Sequence, residues 1–263
     1  MPMAAALLAL GSGGLVGLVL GLIGGGGSIL AVPLLVYAVG VPPHVAIGTA
    51  AFAVALNALA SLALHARRAP IRWPCAITFS LAGVAGALLG ATLGKMVDGQ
   101  KLLALFGGLM IVVGILMMRP KPNAAGDSPW LSRATARHLL PRLVLSGLAV
   151  GAMAGFFGIG GGFLILPGLM LAADMDVRDA ASASLVGVAA FGTAAASSYA
   201  WSGLIDWQVA GLLVAGGLLG SLVGNRANAA LAHNKPLLSR VFAWFVIAAG
   251  LYVAGRGALT LAS

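Results

Sequence analysis

The chain is 263 residues long, 60% hydrophobic and only 8% charged, with a mean hydropathy of +1.05, whereas an ordinary soluble domain carries about 25% charge. No stretch is long and polar enough to be a soluble domain on an anchor, so the composition points to an integral membrane protein built of helices. The net charge of +9 does not signal nucleic acid, because the basic residues are scattered over short loops, as charges that set membrane orientation are.

Residues 5–23 form the first apolar run long enough to span. Gly24 to Gly27 interrupt it, and 28–39 is a short apolar piece of 12 residues, about 18 Å as a helix, or roughly half of a hydrocarbon core. This spacing predicts an extended segment dipping inward, followed by a half-helix that starts near the midplane. Pro33 sits a few residues past the break, where little helix is left to disrupt. Val41-Pro42-Pro43 makes a turn, and 44–65 and 73–94 read as spans joined by a basic loop with Arg67, Arg68 and Arg72. Gly83, Gly86, Gly90 and Gly94 run along the second of these as a small-residue stripe, which lets another helix approach closely. Lys95 to Lys101 is a short loop and 102–118 spans. The polar stretch 119–141 reads as a cytoplasmic linker between a first repeat, 1–118, and a second, 142–263.

The second repeat follows the same plan. A span at 142–157, a break at Gly158 to Gly162 and a half-helix at 163–173 precede spans at 180–200, 207–227 and 236–257. The register is constant at 134 positions, as in Gly26 to Gly160 and Gly27 to Gly161. It also places Pro33 on Pro167, Trp73 on Trp207, and Gly83, Gly86 and Gly90 on Gly217, Gly220 and Gly224. Loop 66–72 carries three Arg, while its partner 200–206 carries Asp206 and no basic residue. Equivalent loops on opposite faces require an odd number of crossings per half. The expectation is an all-α polytopic membrane protein of two inverted repeats, each of about five crossing segments with one broken glycine-rich half-helix, and both termini outside. The rival is a parallel 4+4 arrangement in which 5–39 is one long broken crossing.

Cys75 is the only cysteine, which excludes intrachain disulfides and cysteine metal clusters. The N-terminal MPMAAALLALGSGG has no basic region of the kind that precedes a cleaved signal peptide. There are six Asp and no Glu, and all six fall at or beside expected loops. Carboxylate relays and carboxylate cation sites are therefore disfavoured, and an anionic substrate is easier to accommodate.

The paired pattern, Gly24-Gly25-Gly26-Gly27 with Pro33 and Gly158-Ile159-Gly160-Gly161-Gly162 with Pro167, resembles the sulfite exporter TauE/SafE family of membrane permeases. Gly48-Thr49-Ala50 and Ser182-Ala183-Ser184 are similar to that family's small-residue segments, with Ala50 and Ala183 as departures. The resemblance covers nearly the whole chain. It implies a multi-pass protein of the bacterial inner membrane, not an enzyme, that moves sulfite, sulfonates or related organic anions. It is specific for family and weak for substrate.

A helix that begins in mid-membrane offers free N–H groups and the positive end of its dipole, an anion site that needs no basic side chain. The candidate substrate-binding residues are Gly25, Gly26, Gly27, Ser28 and Thr49 in the first half, and Gly160, Gly161, Gly162, Ser182 and Ser184 in the second. Against this stands the reading that the glycines serve only tight packing, and that each hydroxyl bonds its own helix or a neighbour. Asn57, Ser61, Ser197 and Ser198 are further candidate donors, and His44 and His65 read as interfacial. No catalytic residue, metal or cofactor is expected, since no nucleophile elbow, HExxH or phosphate loop is present. The expected partners are a small anion, membrane lipid and a second copy of the chain in a homodimer. The expected mechanism is alternating access, with a facilitative channel or a non-transporting scaffold as the alternatives.

Overall fold

A computed structural model of the chain describes residues 3–23, 25–65, 72–118, 136–175, 177–230 and 235–262. Gly24, Arg67 and Arg68 of the basic loop, the linker 119–135, Asp176 and His233 lie outside the described residues. Among the described residues there is no strand.

The helices are α1 (Met3–Ile23), α2 (Ala31–Leu34), α3 (Pro43–His65), α4 (Trp73–Met96), α5 (Gly99–Met118), α6 (Ala136–Phe157), α7 (Gly162–Ala173), α8 (Val177–Trp201), α9 (Trp207–Ala230) and α10 (Lys235–Ala262). Among the described residues, seven of them, α1, α3, α4, α5, α6, α8 and α9, are long and apolar enough to cross a membrane. Such runs become helices because lipid offers no partner to a backbone N–H or C=O. Their starts follow ordinary capping chemistry. The Asp206 carboxylate accepts from the N–H groups of Gln208 and Val209 at the start of α9 (3.0 and 3.1 Å), and Asp98 does the same for Gln100 and Lys101 at α5 (3.0 and 3.2 Å).

Two local features differ from the sequence expectation. The first break is not extended: Gly25–Leu30 winds as a 3₁₀ helix, α2 follows, and Leu35–Val39 widens into a π-helix. Pro33 lies inside α2 and supplies no N–H, but Pro167 at the matched position sits within a regular helix, so packing and not the proline alone selects the change of pitch. The second half-helix is regular, but α6 begins at Ala136, six residues before the expected span, with Pro141 inside its second turn. Both half-helical segments end on a left-handed residue at matched positions, Gly40 (φ 82°) and Asp174 (φ 47°), 134 apart.

The helices pair across the halves. α1 lies along α9, and α4 along α6. The glycine stripes make these contacts: a methyl added at Gly90 would fall on the Ala152 carbonyl, and one at Gly220 on the Gly14 carbonyl. Gly13 sits against Leu213 and Gly17 against Gly217, so α1 and α9 run parallel. Gly147 against Phe79 and Gly151 against Gly83 repeat that pattern for α6 and α4. By contrast α3 runs antiparallel to α8, with Gly48 against Tyr199 and Gly192 against Ala55. α5 runs antiparallel to α10, with Gly107 against Ala254 and Gly114 against Ile247. The centre is the α3–α8 pair, the most buried of the spans. Leu81, Leu88, Leu89 and Leu93 on α4 and Leu218, Leu219 and Leu222 on α9 face outward.

Candidate functional site

The second break is a tight turn. Gly158, Gly160 and Gly161 all have positive φ (61°, 63° and 72°), a conformation that glycine adopts without steric cost. The Gly158 N–H bonds the Gly155 carbonyl (3.2 Å) and the Ile159 N–H bonds that of Ala154 (3.1 Å), which closes α6. The Gly161 carbonyl then accepts from Leu164 and Ile165 (2.9 and 2.8 Å), which opens α7. Between these bonds the N–H groups of Gly160, Gly161, Gly162 and Phe163 find no acceptor among the described residues. All four residues are buried, and no side chain caps the helix. This is a buried helix N-terminus with its donors unspent and its dipole uncompensated.

The depth of the turn follows from its neighbours. A Cβ built on Gly160 would come within 2.9 Å of Val54 Cγ1 and 3.6 Å of Val188 Cγ1. Val54 and Val188 each lie eleven residues into their helices (43 to 54 and 177 to 188), close to the middle of α3 and α8. They are also 134 apart, so Gly160 sits where the two halves meet, at half depth. The 3₁₀ segment Gly25–Leu30 packs against α7 and α8, which brings the two breaks together. Ser28 is fully buried there.

The hydroxyl candidates are placed differently. Thr49 is fully buried, and its Oγ1 accepts the Asp206 N–H (3.0 Å), tying α3 to the start of α9. It lies five residues from Val54, about 7.5 Å along the helix. Ser184 is fully buried and donates to the Ala181 carbonyl of its own helix (2.8 Å). Ser182 is also buried, six residues from Val188, about 9 Å along α8. Ser197 likewise bonds its own helix, at the Ala194 carbonyl (2.8 Å). His44 Nε2 lies 3.0 Å from the Val97 carbonyl at a helix end, an interfacial placement.

Asn57 is one turn beyond Val54 on α3 and 2% exposed, its amide lies against Gly217 of α9, and its Oδ1 has no partner among the described residues. A buried amide without a partner is a cost in a purely structural role. Rotation about its last torsion lets the group present either oxygen or NH₂ at the same place. Among the described residues no group of three or more His, Cys, Asp or Glu is placed to hold a metal ion.

Comparison with known proteins follows the same lines. A family described as "Sulfite exporter TauE/SafE" matches residues 9–253. The chain is 46% identical over 255 residues to a "Probable membrane transporter protein" of Xylella fastidiosa, covering 95% of both chains. It is 26% identical over 214 residues to "Probable membrane transporter protein YdhB" of Bacillus subtilis, covering 80% of this chain and 85% of that one. It is 31% identical over 167 residues to a similarly named protein of Methanocaldococcus jannaschii, covering 61% of this chain and 60% of that one. No solved structure matches it.

Proposed function

The chain belongs to the sulfite exporter TauE/SafE family, and from that premise and the geometry above we infer that it is a secondary transporter of small oxyanions, with sulfite and organic sulfonates as the leading class. The observation that carries this reading is the uncapped N-terminus of α7, buried at half depth where the two breaks meet. Four unspent, buried N–H donors favour an anion. Gly160, Gly161 and Gly162 would supply backbone donors, with Gly25, Gly26, Gly27 and Ser28 facing them from the first half. Asn57 would add an amide. Thr49 and Ser184 act as tethers in this reading, since their hydroxyls already hold helix ends and turns.

Alternating access needs two bodies that rock about a shared site. The helix directions support inverted repeats: each half's first helix packs parallel to the other half's fourth, while the equivalent helices α3 and α8, and α5 and α10, are antiparallel. In that arrangement all the Lys and Arg except Lys95, Lys101 and Arg256 fall on the linker's face. This supports a cytoplasmic linker in a bacterial inner membrane. Lipid is the partner of the outward leucines on α4 and α9.

The test is thermal stability of the purified protein against sulfite, methanesulfonate, sulfate, carboxylates and inorganic cations, followed by flux in vesicles. A ligand at 100 times its Kd adds about 2.7 kcal/mol to the folded state. We expect a rise in melting temperature with one anion class, and uptake of labelled anion that speeds up when unlabelled anion is inside. Stabilisation by cations alone would overturn the anion assignment, and uptake indifferent to internal anion would indicate a channel.

A further inference from the structure

On the face away from the linker, one cation bridges two helices through neutral acceptors alone. Lys95, next to last in α4, donates to the Ser198 carbonyl (3.1 Å), the Ser198 hydroxyl (3.0 Å) and the Ser202 hydroxyl (3.0 Å). Its ammonium also lies 5.8 Å from the centroid of the Tyr199 ring. These acceptors occupy its three donors, yet all are neutral, and among the described residues no carboxylate forms an ion pair with it. Beside it is an open cavity of about 580 Å³, lined by His44, Lys95, Asp98 and Gln100 among others. Asp98 is already spent on the N-terminus of α5.

Behind Lys95 lies Tyr199, fully buried, with no partner for its hydroxyl. Its side chain fills the space beside Gly48, and its hydroxyl points at Gly94. The residue next to Gly48 is Ile47, which packs on Gly158 of the break. The order from outside inward is therefore cavity, Lys95, Tyr199, Ile47, Gly158, Gly160. The same helix pair is fastened at its other end by Arg72 and Asp179 (2.6 Å).

We propose that Lys95 is a latch that a small oxyanion releases. In this structure it holds α8's last turn to α4, with Tyr199 plugging the way inward. An anion in the cavity offers the Lys95 ammonium an opposite charge as well as an acceptor, which the three neutral serine oxygens do not. Ser198 and Ser202 lose their donor, Tyr199 is no longer pinned, and water reaches the hydroxyl that is unpartnered in the closed form. Because the anion binds the released state better, it shifts the population toward it. A cation gains nothing from Lys95 and cannot release it. The proposal rests on the anion reading above, and it adds a recruitment site and names the gate.

The experiment measures access to position 47. In a Cys75→Ala background, Ile47→Cys is exposed to a polar maleimide, with Lys95 intact, as Lys95→Gln and as Lys95→Arg, each with and without methanesulfonate. With Lys95 intact we expect protection, relieved at least tenfold by methanesulfonate. Lys95→Gln should label at least tenfold faster without the anion and respond no further to it, while Lys95→Arg keeps the protection. Ser198→Ala with Ser202→Ala gives a second route to the released state and should also label faster. Equal rates in the intact, Lys95→Gln and double-serine proteins overturn the latch. A latch that opens in Lys95→Gln but ignores methanesulfonate overturns its release by an anion. A melting-temperature rise with anions in that same protein would leave the transporter reading standing.

Discussion

At the scale of single residues, Asn57 and Thr49 separate function from structure. Both are polar and buried in α3, but Thr49 has a partner and the Asn57 oxygen has none. Asn57→Leu removes an unmet polar atom and keeps the branched shape of the side chain, so stability should hold or rise provided Gly217 can accept the larger group. If the amide serves the anion, flux in vesicles should fall at least tenfold in that same variant; undiminished flux would remove Asn57 from the site. Thr49→Val does the opposite. It strands the Asp206 N–H and should cost about 1–3 kcal/mol, read as a lower melting temperature with the anion-induced rise intact. Gly160 is a harder probe. Its φ of 63° and the closeness of Val54 mean that Gly160→Leu strains the backbone as well as blocking the donors. Loss of transport in that variant identifies the site only if the protein still melts cooperatively.

At the scale of elements, much was legible because glycine and proline carry strong local meaning. The two breaks, the half-helix after the second, and the stripes on α4 and α9 all sit where the glycines placed them. Pitch was not legible: nothing in GGGGSILAVP distinguishes an extended entry from the 3₁₀, α and π windings that tertiary packing selects. The start of α6 was hidden by Pro141, which argues for a boundary and is instead held within the helix. Lys95 read as a loop charge, since its serine partners lie 103 and 107 positions away. The stripes make a direct prediction. Gly90→Ala drives a methyl onto the Ala152 carbonyl and must push α4 off α6, lowering the melting temperature. Gly211 has open space around it on α9. There Ala should stabilise by up to about 1 kcal/mol, with flux unchanged.

At the scale of the molecule, the two halves are fitted together by exchange: α1 rests on α9, α4 on α6, and α3 and α8 cross at the centre. The inverted arrangement can be tested at matched turns, Gly40 and Asp174 being 134 apart. In a Cys75→Ala background, Pro42→Cys and Asp174→Cys should react with an impermeant maleimide from opposite sides of the membrane. Reaction from the same side would restore the parallel 4+4 alternative. The exchange also bears on how the protein is made. α1 leaves the ribosome well before α9, and the residues that cover its glycine face arrive about 200 positions later, as in Gly13 and Leu213. At about 5–20 residues per second, that is roughly 10–40 seconds of waiting with that face uncovered in the bilayer. Each half made alone leaves the faces of its first and fourth helices uncovered, so each should be degraded by itself, while the two made together should assemble. Assembly, and not only transport, should therefore require both halves to be present at once.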